Sequence, residues 1–131
     1  MAETQVRCVV VTPEKTELDT TCDALTLPLY DGEAGILPGR APMVGRLGFG
    51  LLKLRNGSTS TEWFVDGGFV QVTREAVYVL TDRLLKREQI DKKQAEEDLA
   101  KATAMKATSP EAISLRERTI AQTRAKSRLA K

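Results

Sequence analysis

All nine glycines lie between Gly32 and Gly68, and all six aromatic residues lie at or before Tyr78. Glycine turns and aromatic packing are therefore open only to the first two thirds of the chain, and the rest must fold without either. Charge divides in the same place. Residues 1–90 carry 10 basic and 12 acidic side chains, whereas residues 91–131 carry 10 basic and 6 acidic, so a net charge of only +2 conceals a basic surplus at one end. At 131 residues the chain has room for one ordinary domain or a small domain with an appendage. The aromatic fraction is 5%, so a core must rest on Val, Leu, Ile and Ala.

The first part has the period of strands. Val6, Cys8 and Val10 alternate with Arg7, Val9 and Val11 before Thr12-Pro13, and Leu25-Thr26-Leu27 is expected to stop at Pro28. Leu51 to Arg55 and Glu62 to Val65 flank Asn56-Gly57, a pair suited to a type I′ turn. Phe69 to Val72 and Val77 to Leu80, separated by Thr73-Arg74-Glu75, make a second hairpin. Many short strands with no helix available for crossovers predict an antiparallel sandwich or barrel.

Beyond Thr81 the period becomes helical. Asp91 with Gln94 forms a capping-box pattern, Ala95, Leu99, Ala102 and Met105 share a helical face, and Ser109-Pro110-Glu111 starts a second helix. A short connection predicts an antiparallel two-helix hairpin. Its large apolar residues are few: Leu99, Met105, Ile113, Leu115, Ile120 and Leu129. Such a hairpin is marginal alone and is a candidate moving part. The expected organisation is a β-sandwich over 1–84, a linker over 85–90 and a helical hairpin over 91–131.

Function classes fall away quickly. The chain has no histidine, which removes Ser-His-Asp and Cys-His nucleophile pairs, His-ligated metals and imidazole switching. Cys8 and Cys22 have no metal-binding spacing and read as reduced thiols, although the sequence leaves a disulfide open. No run of about eighteen apolar residues is present, so the expected setting is a reducing, cytoplasm-like compartment with membrane contact only through a partner. The segment Gly32 to Pro42 lacks both phosphate-loop patterns. It is either a turn-rich connection or an exposed loop that presents Glu33 and Arg40 to a partner. Asp19, Asp23 and Glu62 are scattered and read as solvated surface. Arg124 and Arg128 stand four apart among Arg116, Arg118 and Lys126, where two guanidinium forks could clamp a phosphate or an acidic helix. Interleaved aromatics are missing there, so nucleic acid is not an expected partner.

The order of motifs resembles the epsilon subunits of F-type ATP synthases. The strings that carry the likeness are Val10 to Glu14, Gly-Glu-Ala-Gly-Ile-Leu-Pro-Gly-Arg-Ala-Pro-Met from Gly32 to Met43, Asp66 to Val72, Val77 to Asp82, and Ile90-Asp91. The resemblance implies a sandwich of about ten antiparallel strands followed by the two-helix hairpin. It implies a non-catalytic rotor subunit clamped to gamma and resting on the c-ring, coupling ion flow to ATP synthesis on other subunits. It places the complex at the cytoplasmic face of the cell membrane, with the coupling ion, H⁺ or Na⁺, chosen by other chains. Glu33 and Arg40 match positions that face the c-ring, and Val44 and Leu51 match positions that face gamma. Arg40 stands where the loop usually carries His, which keeps a positive charge but removes titration.

In bacterial relatives the hairpin folds down and binds ATP, or extends toward acidic surfaces of the catalytic alpha and beta subunits and inhibits hydrolysis. The implied nucleotide residues here are Asp91, Gln94, Arg124 and Arg128, with Gln94 replacing an Arg of the family pattern. Losing that charge-assisted partner implies ATP binding weakened by about tenfold or more, and no required cofactor. Two further readings stand beside the rotor subunit: a free nucleotide-sensing module, and a generic sandwich adaptor with a basic helical arm.

Overall fold

The computed structural model describes residues 5–39 and 41–130. Two compact units are formed, one ending at Lys86 and the other beginning at Arg87.

The first unit is a β-sandwich of eight strands: β1 (Val6–Val11), β2 (Thr16–Cys22), β3 (Ala24–Leu29), β4 (Gly32–Ile36), β5 (Met43–Asn56), β6 (Thr59–Val72), β7 (Val77–Leu80) and β8 (Leu84–Lys86). Strand order is β2-β1-β7-β6-β5-β3-β4, with β8 paired to β6. Eight strands replace the ten that the resemblance implies, because β5 and β6 are each a single strand of 14 residues. The pairing is antiparallel except between β1 and β7, which run parallel with Cys8 beside Val77.

The β5–β6 ribbon is long enough to serve both layers, and its inward phase changes along its length. Met43 and Leu47, then Leu52 and Leu54, face the core on β5; Val72 and Val70, then Val65 and Trp63, do so on β6. The switch falls between the Leu47–Gly68 and Phe49–Asp66 pairs, where Gly67 and Gly68 take φ of 71° and 112°. Only glycine adopts such angles at little cost.

Two local expectations need correction. The hairpin closes through Gly57 and Ser58, since Asn56 pairs with Thr59, and Gly57 has φ 61° while no described non-glycine residue has positive φ. Gly at the first loop position fits a type II′ turn rather than I′. Strand β3 also continues through Pro28. Its register against β5 shifts between Thr26 and Leu29, so the missing N–H of Pro28 falls in the irregular stretch.

The second unit opens with a 3₁₀ turn (Arg87–Gln89), so residues 85–90 hold the end of β8 and this turn. Helices α1 (Lys92–Ala104) and α2 (Pro110–Leu129) follow and pack together. Asp91 caps α1 by accepting the Gln94 N–H at 3.1 Å, and Ser109 caps α2 by accepting the Ala112 N–H at 3.1 Å. The Gln94 side chain turns forward, donating to Asp98 at 2.9 Å, instead of returning toward the cap. The expected stripe of large residues is covered only in part, with Leu99, Ile120 and Leu129 half-buried. Ala95, Ala102, Thr123 and Ala125 are buried, whereas Met105, Ile113 and Leu115 are exposed.

Candidate partner-binding surfaces

Glu33 lies on β4, which among the described residues is an edge strand paired with β3, opposite Pro28. Its side chain is exposed, as are Asp31 and Gly32 before it and Gly35 after it. With two glycines in five residues, β4 has few side chains to cover its outer edge, so it offers backbone and one carboxylate to whatever approaches. Arg40 lies outside the described residues. Leu37, three residues before it, is exposed despite its size.

A second surface runs across three strands and the turn that follows β3. The Tyr30 N–H donates to the Arg46 carbonyl at 2.8 Å, Arg46 pairs with Phe69, and Phe69 pairs with Leu80. Directly opposed residues project from the same side of a sheet, so these side chains form one cross-strand row. The Arg46 guanidinium lies 4.5 Å from the centre of the Tyr30 ring. Val44 precedes Arg46 by two residues on the same phase. Tyr30, Val44, Phe69 and Leu80 are 70%, 75%, 60% and 49% exposed, an apolar concentration of the kind that marks interaction surfaces.

Of the two positions matched to gamma, the structure exposes Val44 and buries Leu51, which pairs with the buried Phe64. The sequence motifs do not mark Tyr30, Phe69 or Leu80 as facing a partner. The available signal was phase: Val70 and Val72 are buried, so Phe69 occupies the outward phase of a strand, an unusual place for a bulky aromatic.

On the helical unit, Asp91 and Gln94 are both committed to local bonds, the first as the α1 cap and the second to Asp98. Arg124 and Arg128 are exposed on the last turns of α2.

Catalytic arrangements are missing among the described residues. No buried side-chain nitrogen or oxygen lacks a hydrogen-bond partner, and no three His, Cys, Asp or Glu side chains are placed to hold a metal ion. Both cysteines are free and buried. Burial pushes the Cys8 thiol up to about 12, with smaller contributions from Cys22 and Asp19, and burial raises Cys22 as well. Cys8 pairs with Thr20 and Cys22 with Val6, which makes the thiols diagonal neighbours. Diagonal positions are about 7–8 Å apart, beyond the usual reach of a disulfide.

The family model for the ATP synthase delta/epsilon chain β-sandwich domain matches residues 5–87. An ATP synthase epsilon chain of Rhodopirellula baltica is 45% identical over 119 residues, covering 91% of this chain and 93% of that one. The fold resembles a chain in the mitochondrial ATP synthase of Euglena gracilis (OSCP/F1/c-ring), with a TM-score of 0.84 and 21% identity over 95% of this chain and 81% of that one. It also resembles a chain in the central stalk/c-ring of the Tetrahymena thermophila mitochondrial ATP synthase, with a TM-score of 0.73 and 16% identity over 100% of both.

Proposed function

Because this chain belongs to the epsilon family of ATP synthase, a non-catalytic subunit of that complex, we propose that it works as a central-stalk rotor element whose sandwich grips gamma through the Tyr30–Arg46–Phe69–Leu80 row and Val44. The exposed apolar row carries this reading, since it runs across three strands and the turn after β3 and offers a partner both aromatic anchors and one guanidinium. Leu51, being buried, supports that sheet without forming the contact itself.

Glu33 and Arg40 meet polar groups of the c-ring, so that the subunit turns with the ring and transmits ion flow to synthesis on other chains. The helical arm, with its basic surplus, reaches acidic surfaces of the catalytic alpha and beta subunits and restrains hydrolysis. ATP binding at Asp91, Gln94, Arg124 and Arg128 is weak, because two of the four are spent on the helix itself. The subunit sits at the cytoplasmic face of the membrane and touches it only through the complex.

The deciding experiment is co-purification with gamma. Val44→Asp and Phe69→Asp each place an unpaired carboxylate in the interface and are expected to weaken association by about 2–4 kcal/mol while leaving the sandwich folded. Unchanged recovery of gamma with both variants overturns the assignment of this face.

A further inference from the structure

Arg46 is the one charged residue of the exposed row, and its hydrogen-bonding capacity is unspent. Among the described residues nothing accepts a hydrogen bond from its guanidinium, and no carboxylate forms an ion pair with it. The group is held all the same. Its central carbon lies 4.5 Å from the centre of the Tyr30 ring, where a cation is drawn to the π face. Tyr30 is itself tied to β5: its N–H donates to the Arg46 carbonyl at 2.8 Å, and Gly48 admits the incoming chain so closely that a Cβ there would lie 3.1 Å from the Leu29 carbonyl oxygen and 3.5 Å from the Tyr30 Cα. Ring and guanidinium are thus placed before any partner arrives. Around them the exposed side chains of Val44, Phe69 and Leu80 offer nothing polar. A partner that covers those side chains also takes water from Arg46, and an arginine stays charged when dried. A π face replaces only part of the lost hydration, and neutral carbonyls would leave a net charge buried. A carboxylate cancels the charge and matches the planar fork with two parallel bonds.

We infer that gamma presents one aspartate or glutamate to Arg46, taken by both oxygens on the guanidinium that Tyr30 holds in place. Arg46 is then the residue that selects the partner, and Tyr30 is a positioning residue that acts through it. This rests on the reading that the row meets gamma, and it adds the chemistry of the gamma residue opposite. The apolar part of the face gains affinity for any apolar surface and distinguishes little among them. Arg46 does distinguish. A surface without an acid at that point must bury an unpaired charge, and a surface with a basic group there is repelled.

The test measures binding of the full chain to the soluble catalytic complex that contains gamma and has been depleted of this subunit. Arg46→Met, which keeps an unbranched side chain, is expected to bind about thirtyfold or more weakly, because it leaves the carboxylate of gamma unpaired. Without that carboxylate the sign reverses. The same variant then removes a desolvation cost, and binding equal to or tighter than that of the unsubstituted chain overturns the proposal. Tyr30→Leu is expected to lose about two- to fivefold, and to lose nothing further when combined with Arg46→Met. Equal losses with and without Arg46→Met overturn the positioning part of Tyr30. The assembled complex carrying Arg46→Lys, treated with a water-soluble carbodiimide, is expected to form an amide between the introduced amine and one Asp or Glu of gamma. Assembly without that cross-link overturns the carboxylate as well. Val44→Asp separates the proposal from the reading beneath it. Unchanged binding of Val44→Asp means that the face does not meet gamma, whereas weakened binding there beside undiminished binding of Arg46→Met leaves the face assigned and refutes the acid.

Discussion

The Asp66 N–H donates to the hydroxyl of Thr81 across 3.1 Å, and both residues are buried. That bond ties β6 to the end of β7 where the ribbon changes its inward phase. Next to it, Gly68 runs so close to β7 that an added Cβ would collide with the Leu80 carbonyl. Gly68→Ala is therefore expected to cost about 2 kcal/mol or more, since it combines that collision with a left-handed φ. Gly35→Ala meets nothing within 4 Å and is expected to stay within about 0.5 kcal/mol. Urea midpoints of the two variants check the difference, and equal losses would refute it.

Reversing both charges, Glu33→Arg with Arg40→Glu, is expected to uncouple ATP turnover from ion pumping in vesicles. Hydrolysis by the soluble catalytic portion should be unaffected, and normal ATP-driven pumping would remove the c-ring role.

Calorimetric titration with ATP is expected to show weak binding. Gln94→Arg restores a guanidinium, but Asp98, one turn along, already holds the Gln94 amide and would capture it. Gln94→Arg combined with Asp98→Ala is thus expected to bind ATP about tenfold more tightly than Gln94→Arg alone. Equal affinities would show that Asp98 does not compete.

The thiols set an alkaline limit. Cys8 has its folded value raised from 9.0 to about 12, so its contribution to stability is complete below the ordinary thiol value and is lost as pH rises from there toward the folded one. Between those values stability should decline by up to about 1.4 kcal/mol per pH unit for this group. Cys8→Ala should flatten that part of the profile even if its baseline is lower. Native protein at pH 8 is expected to resist a disulfide reagent until denaturant is added, and rapid labelling of both cysteines would contradict the burial.

A chain ending at Lys86 is expected to fold, bind gamma and support coupled synthesis, while complexes containing it hydrolyse ATP faster than those with the arm. The excess should shrink as salt weakens a basic arm's hold on an acidic surface in the intact complex. Equal rates at low and moderate salt would leave the arm without an inhibitory part.

The elements legible in the sequence are those whose signals are local. The β5–β6 hairpin announces itself through Asn56-Gly57 between apolar runs, and both helix starts through Asp91 and Ser109, whose side chains cap as expected. Strands β2 and β4 are not legible, because Thr-Glu-Leu-Asp-Thr-Thr-Cys and Gly-Glu-Ala-Gly-Ile sit at the sheet edges and need little apolar alternation. The row across Tyr30, Arg46, Phe69 and Leu80 escapes for another reason: it exists only through non-local register, which joins the end of β3 to β5, β6 and β7.

The parallel alignment of β1 with β7 also governs when the sandwich can come into being. Val-Arg-Cys-Val-Val-Val is synthesised well ahead of Val77–Leu80, one of the two strands it pairs with. Until then β1 can pair only with β2 and presents its other edge unfilled. Closure across so long a stretch of chain is slow compared with hairpin formation, and a β-branched edge left waiting invites other chains. During synthesis the vulnerable interval of this protein therefore lasts until Leu80 is free to pair.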